Sequence, residues 1–155
     1  MRGFYVFTKM KRGERHLATL KDSTPKTYGP LKTIVIGRRE TDTDCAIVSL
    51  AMYLGETYEN VLRAVTEVDR RNQGKRGLST AQMKKAATIL GHSLSLSRSV
   101  NLEQDYGILL LNCHALVIRH GLAFDADVVM PIDYALQCYA PQKVEGVLYC
   151  KQPKS

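Results

Sequence analysis

Cys45 is preceded by three helix-capping residue types, Asp42, Thr43 and Asp44, and followed by Ala46, Ile47, Leu50, Ala51 and Leu54 at helical spacing. The pattern predicts a helix whose first turn carries a thiol and whose C-terminal stop is Gly55. A helix N-terminus presents unpaired N–H groups and partial positive charge, which favour the nucleophilic thiolate and can stabilise an oxyanion. Turnover then needs a histidine to accept and return the proton, and a partner that fixes the histidine tautomer. His114 opens the strand-like run His114–Arg119, His120-Gly121 is a two-residue turn signal, and Leu122–Val128 is the expected returning strand. That pairing sets His114 opposite Asp127 and diagonal to Asp125, with all three on one face; a one-residue slip would change the set. Cys45, His114 and one of the two carboxylates therefore fit one reaction centre if the helix packs its N-terminus over that face. A cysteine in an apolar helix is also, in many proteins, only a small buried hydrophobe. The conjunction with His and Asp on a hairpin is what distinguishes this one.

Other elements must hold these residues. The N-terminal segment offers strands at Phe4–Thr8 and Thr33–Ile36, separated by a polar loop, Lys21–Pro30. Thr57 caps a second helix with Val61, Leu62, Val65 and Val68 inward. Ser79 and Gln82 form a capping box for a third helix, with Met83, Ala86, Ala87 and Leu90 inward and Gly91 as its stop. The period then changes to two at His92–Ser97, Gly107–Leu111 reads as a strand buried on both faces, and Ile132–Tyr139 reads as a short helix. Val147–Lys151 reads as a final edge strand. Helices first and then an antiparallel sheet make an α+β domain.

The 155 residues suit a single domain, and 45% hydrophobic against 24% charged residues excludes a disordered chain. No window approaches the roughly 18 apolar residues of a membrane span, and the start lacks a signal-peptide h-region, so a cytoplasmic location without membrane contact is expected. The four cysteines (Cys45, Cys113, Cys138, Cys150) are then expected as free thiols. With no CxxC pair and no HExxH, neither a metal nor a cofactor is implied. The net charge of +7 is uneven: residues 1–39 hold ten Lys/Arg, Arg38 and Arg39 among them, against Glu14 and Asp22. A second basic run spans Arg70, Arg71, Lys75 and Arg76. Such a surface can bind nucleic acid or an acidic partner, although no aromatic stacking motif is interleaved with it and a solubilising surface is the plainer reading.

Three blocks carry a family resemblance. Thr43-Asp44-Cys45-Ala46 through Leu54-Gly55, with Thr57-Tyr58-Glu59-Asn60-Val61, resembles the opening of small phage and prophage proteins assigned a papain-like (cysteine-proteinase) fold. It is similar, more distantly, to bacteriocin leader-processing peptidase domains. Gly77-Leu78-Ser79 through Leu90-Gly91 resembles the following helix, and His114 through Gly121 to Asp125 their His/Asp hairpin. The likeness covers residues 40–128, leaving 1–39 as a basic extension and 129–155 as a C-terminal strand region. It implies Cys45 as nucleophile, His114 as general base and acid, and Asp125 as orienting carboxylate, with Asp127 the alternative favoured by the hairpin register. Where the peptidases carry an oxyanion-hole glutamine this chain has Arg39, so Thr41, Thr43 or a backbone N–H would take that place; Ala46 stands where they have glycine. The resemblance implies a phage-encoded cysteine hydrolase or acyltransferase acting, in the host cytoplasm, on an amide, isopeptide or thioester bond of a protein or peptide. The alternative expectation is an inactive papain-like module that binds a host protein or nucleic acid through its basic surface.

Overall fold

The computed structural model describes residues 44–72, 77–126 and 128–150, together with the backbone of two short paired strands, β1 (Phe4–Tyr5) and β2 (Leu17–Ala18). The Thr33–Ile36 strand and the Lys21–Pro30 loop expected from sequence lie outside the described residues. Three helices come first: α1 (Cys45–Leu54), α2 (Tyr58–Val68) and α3 (Thr80–Ile89). Strands β3 (Leu94–Ser97), β4 (Tyr106–Leu111), β5 (His114–Arg119), β6 (Leu122–Asp125) and β7 (Val128–Pro131) follow, then α4 (Ile132–Tyr139) and β8 (Val144–Cys150). The last six strands form one antiparallel sheet in the order β3-β8-β4-β5-β6-β7. The described residues are thus α+β, with four helices and a six-stranded antiparallel sheet.

The local signals account for the helix ends. Thr57 Oγ1 accepts from Asn60 N at 3.1 Å, and the Ser79/Gln82 capping box closes in both directions. Gly55 ends α1 in the left-handed region at φ 73°, and Gly91 follows the Leu90 C-cap of α3 at φ 91°. One expectation fails in kind. The spacing after Cys45 predicts a helix with one buried stripe, yet every residue from Ala46 to Met52 is buried. The reason is tertiary: α1 lies between the sheet and the α2–α3 pair, so it has no solvent face to keep polar.

Two cores flank the sheet. Ile108, Leu110, Ala115, Val117 and Phe124 face α1–α3, while Leu109, Leu111, Leu116, Ile118 and Ala123 face α4. The β5–β6 turn uses His120 and Gly121, both at positive φ (50° and 87°), as a primed turn requires. The returning strand departs from expectation. It stops at Asp125, Ala126 turns the chain at φ 56°, and Val128 begins β7 paired back against Asp125. The predicted strand Leu122–Val128 is therefore two strands. Val147–Lys151 is likewise no edge strand: β8 starts at Val144 and lies inside the sheet between β3 and β4.

Candidate active site

Cys45 is the first residue of α1, and His114 is the first residue of β5. The β4–β5 hairpin that presents His114 turns at Asn112 and Cys113 and is tied down on both sides. Cys113 N donates to Gln142 Oε1 at 2.8 Å, and Asn112 Oδ1 accepts from Lys143 N at 2.9 Å. These bonds fix the strand end from which the imidazole projects.

His114 Nε2 donates to Asp125 Oδ1 at 3.1 Å, and both residues are buried (8% and 6% exposed). A second hydrogen bond joins the ring to the Cys45 side chain. With Nε2 engaged by the carboxylate, Nδ1 is the ring nitrogen left to meet the thiol. Burial works against a charged imidazole here, but the hydrogen bonds and negative charge of Asp125 and Cys45 outweigh it and raise His114 above its ordinary 6.5. The opposite pressure acts on two other thiols: burial pushes Cys138 and Cys150 up, and the charge of Asp125 adds to the effect on Cys138.

The helix does not approach as the sequence suggests. α1 packs on the face that holds Ala115 and Val117, whereas His114 alternates to the opposite face with Leu116 and Ile118. Contact is still made because His114 begins its strand, so its ring meets the Cys45 helix at the end of the sheet rather than through it. A cleft of about 320 Å³ runs past this point, lined by Cys45 and His114, by Leu78 and Ser79 ahead of α3, and by Cys113 and Glu145.

Asp44, at the N-cap of α1, is wholly buried, yet its carboxylate does not cap the helix. It accepts instead from Tyr58 Oη at 2.7 Å, which ties the start of α1 to α2. Sequence reasoning missed this pair, and it missed Tyr139. The Tyr139 ring stacks on His114 (centroids 4.3 Å apart, planes 22° apart), and its hydroxyl donates to Asp125 Oδ2. The signal was Tyr139's place on the apolar face of α4 with Ile132 and Ala135, which marks burial but not what it is buried against.

Of the other expected residues, Arg70 and Arg71 are exposed beyond α2, far along the chain from any site group. Arg38, Arg39, Thr41, Thr43, Lys75, Arg76 and Asp127 lie outside the described residues. The register that favours Asp127 extends the β5–β6 ladder past Val117–Phe124, where the structure instead turns the chain. Among the described residues no cluster of three or more His, Cys, Asp or Glu could hold a metal ion, and no helix is long and apolar enough to cross a membrane. None of the four cysteines is joined in a disulfide.

Comparison with protein-family models, curated proteins and solved structures returns no match. The site has therefore to be read from its own geometry.

That geometry fixes one sign. A histidine raised in the folded state contributes stability that is complete below its unfolded value and is lost as pH rises through the folded one. The stability advantage of the wild type over His114→Phe is thus expected to be complete below about pH 6.5 and to shrink as pH rises above it, read by urea unfolding at each pH. An advantage that grows with pH would mean the ring is held neutral.

Proposed function

We propose that this chain is a papain-like cysteine hydrolase or acyltransferase acting on an amide, isopeptide or thioester carbonyl of a protein or peptide. The observation that carries the reading is the continuous chain from the Cys45 thiol through the His114 ring to Asp125, at a helix N-terminus and open to a cleft. The order of parts supports it too: a cysteine opening a helix, then an antiparallel sheet with histidine and acid on adjacent strands. The likeness of the Cys45, Gly77 and His114 blocks to small phage papain-like proteins adds weight.

In this mechanism Cys45 passes its proton to His114, and the thiolate attacks the carbonyl carbon. The new C–S bond drives the carbonyl electrons onto oxygen, where the N–H groups at the start of α1 can receive them. The Asp44 side chain does not occupy those groups. The intermediate collapses by expelling the leaving amine or thiolate, which takes the proton from His114. Water or an amine, deprotonated by His114, then attacks the acyl thioester and releases Cys45. Asp125 stays ionised throughout, holding the ring and balancing its charge.

Alkylation by iodoacetamide tests the thiol directly. At about pH 6 an ordinary thiol is under about 1% thiolate, so Cys45 is expected to be modified at least about tenfold faster than exposed Cys113, and faster still than Cys138 and Cys150. Peptide mapping after brief exposure gives the order. If Cys45 reacts no faster than Cys113, the hydrolase reading fails.

A further inference from the structure

Asp125 is buried where an unsupported charge is costly. Its carboxylate is 6% exposed, and a buried carboxylate stays charged only if hydrogen-bond donors replace the water it has lost. His114 serves Oδ1 alone. The second oxygen is met by Tyr139 Oη, reaching from α4 on the far side of the sheet from the Cys45 helix. The same tyrosine lays its ring against the imidazole. One side chain thus donates to the acid and walls off one face of the base.

We propose that Tyr139 is a positioning residue of the Cys45 centre, fixing the orientation and charge of Asp125 and, through it, the proton affinity of His114. The inference rests on the hydrolase reading for its catalytic meaning, though its physical content does not. Tyr139 transfers no proton or acyl group itself; it acts on His114 through the ring stack and through Asp125. Among the described residues, the groups facing His114 include Asp125 from β6, Tyr139 from α4 and Cys45 from α1. Asp125 faces His114 and Tyr139 and acts through its charge on Cys138. Losing the phenol hydroxyl leaves Oδ2 without this donor while keeping the ring stack, so Tyr139→Phe isolates the hydrogen bond. With its charge less well supported, Asp125 holds the imidazolium less tightly, and the window in which thiolate and imidazolium coexist narrows from its alkaline side.

The test is the titration of His114 by NMR of the labelled imidazole in the full chain, beside the pH profile of Cys45 alkylation by iodoacetamide. In Tyr139→Phe the His114 midpoint is expected to fall by about one pH unit, a tenfold loss of proton affinity, with the alkaline limb of the alkylation profile moving the same way. In an Asp125→Asn background, adding Tyr139→Phe should move the midpoint much less, because the hydroxyl no longer has a carboxylate to hold. An unchanged midpoint in folded Tyr139→Phe, or an equal shift in both backgrounds, would overturn the proposal. Should Tyr139→Phe not fold, the double variant decides: folding there shows that the hydroxyl is needed because the carboxylate is present. Failure of the double variant where Asp125→Asn alone folds would reduce Tyr139 to packing and overturn the role. Slow alkylation of wild-type Cys45 would sink the hydrolase reading while leaving the His114 titration to decide Tyr139.

Discussion

In a His114→Ala protein, alkylation of Cys45 at about pH 6 is expected to fall by about a hundredfold, and turnover of any acyl substrate by about 10²–10⁴. The first figure comes from thiolate fraction. A thiol with an ordinary value near 8.5 is only about 0.3% ionised at pH 6, whereas one paired with an imidazolium is mostly ionised; the lower intrinsic nucleophilicity of such a thiolate returns part of the difference. Because His114 is raised by Asp125 and Cys45, its charge persists above 6.5, and so should the advantage of the wild type. The two rates should converge as pH climbs through the raised value toward the ordinary thiol range, where an unpaired Cys45 ionises unaided. Rates of alkylation measured across that range for wild type, His114→Ala and Asp125→Ala give the shape directly. Asp125→Ala should fall between the other two, since it removes the ring's anchor at Nε2 but leaves a base at Cys45. A His114→Ala protein that matches wild type at pH 6 would mean that the thiol gains nothing from the ring.

The residues of this centre were legible in the sequence to different depths, and for physical reasons. Cys45 and His114 stand at the first positions of a helix and a strand, and both elements are written locally: α1 in its apolar run and its Gly55 stop, and β5 in the turn-forming His120-Gly121 that ends it. Asp125 could be named but not separated from Asp127, because alternation alone does not reveal that Ala126 turns the chain. Alternation was equally silent on how Cys45 reaches His114: it assigns faces, and the meeting takes place around a strand end. Tyr139 lies outside local pattern altogether. Its partner is fourteen residues away, and only the packing of α4 against the second core puts its ring over His114. Helix ends and the β5–β6 turn were readable because each is decided within a few residues. Strand order was not, since the placement of β8 between β3 and β4 rests on pairings between residues 33 to 56 positions apart.

That placement is open to a severe test at Gly107. The residue lies in β4 where β8 passes, and a Cβ there would strike the backbone carbonyl oxygen of Leu148 and stand 2.8 Å from Val147 Cγ2. Leu148 cannot yield, because its strand is held on one side by the pairing with Ile108 and on the other by the pairing with Leu96. Moving the strand would break ladder bonds to both of its neighbours, β3 and β4. Overpacking of this kind costs about 1–3 kcal/mol where side chains can adjust, and more where backbone must move. Gly107→Ala is therefore expected to lower the melting temperature by several degrees, at about 2–4 °C per kcal/mol for a chain of this size. Gly107→Val, whose branched side chain adds bulk at the same point, is expected to prevent folding. Gly77 supplies the control, since nothing lies within 4 Å of a Cβ built there. Thermal unfolding followed by circular dichroism compares the three. Equal melting of Gly107→Ala and Gly77→Ala would show that β8 does not press against β4 at this point, and the strand order would have to be redrawn.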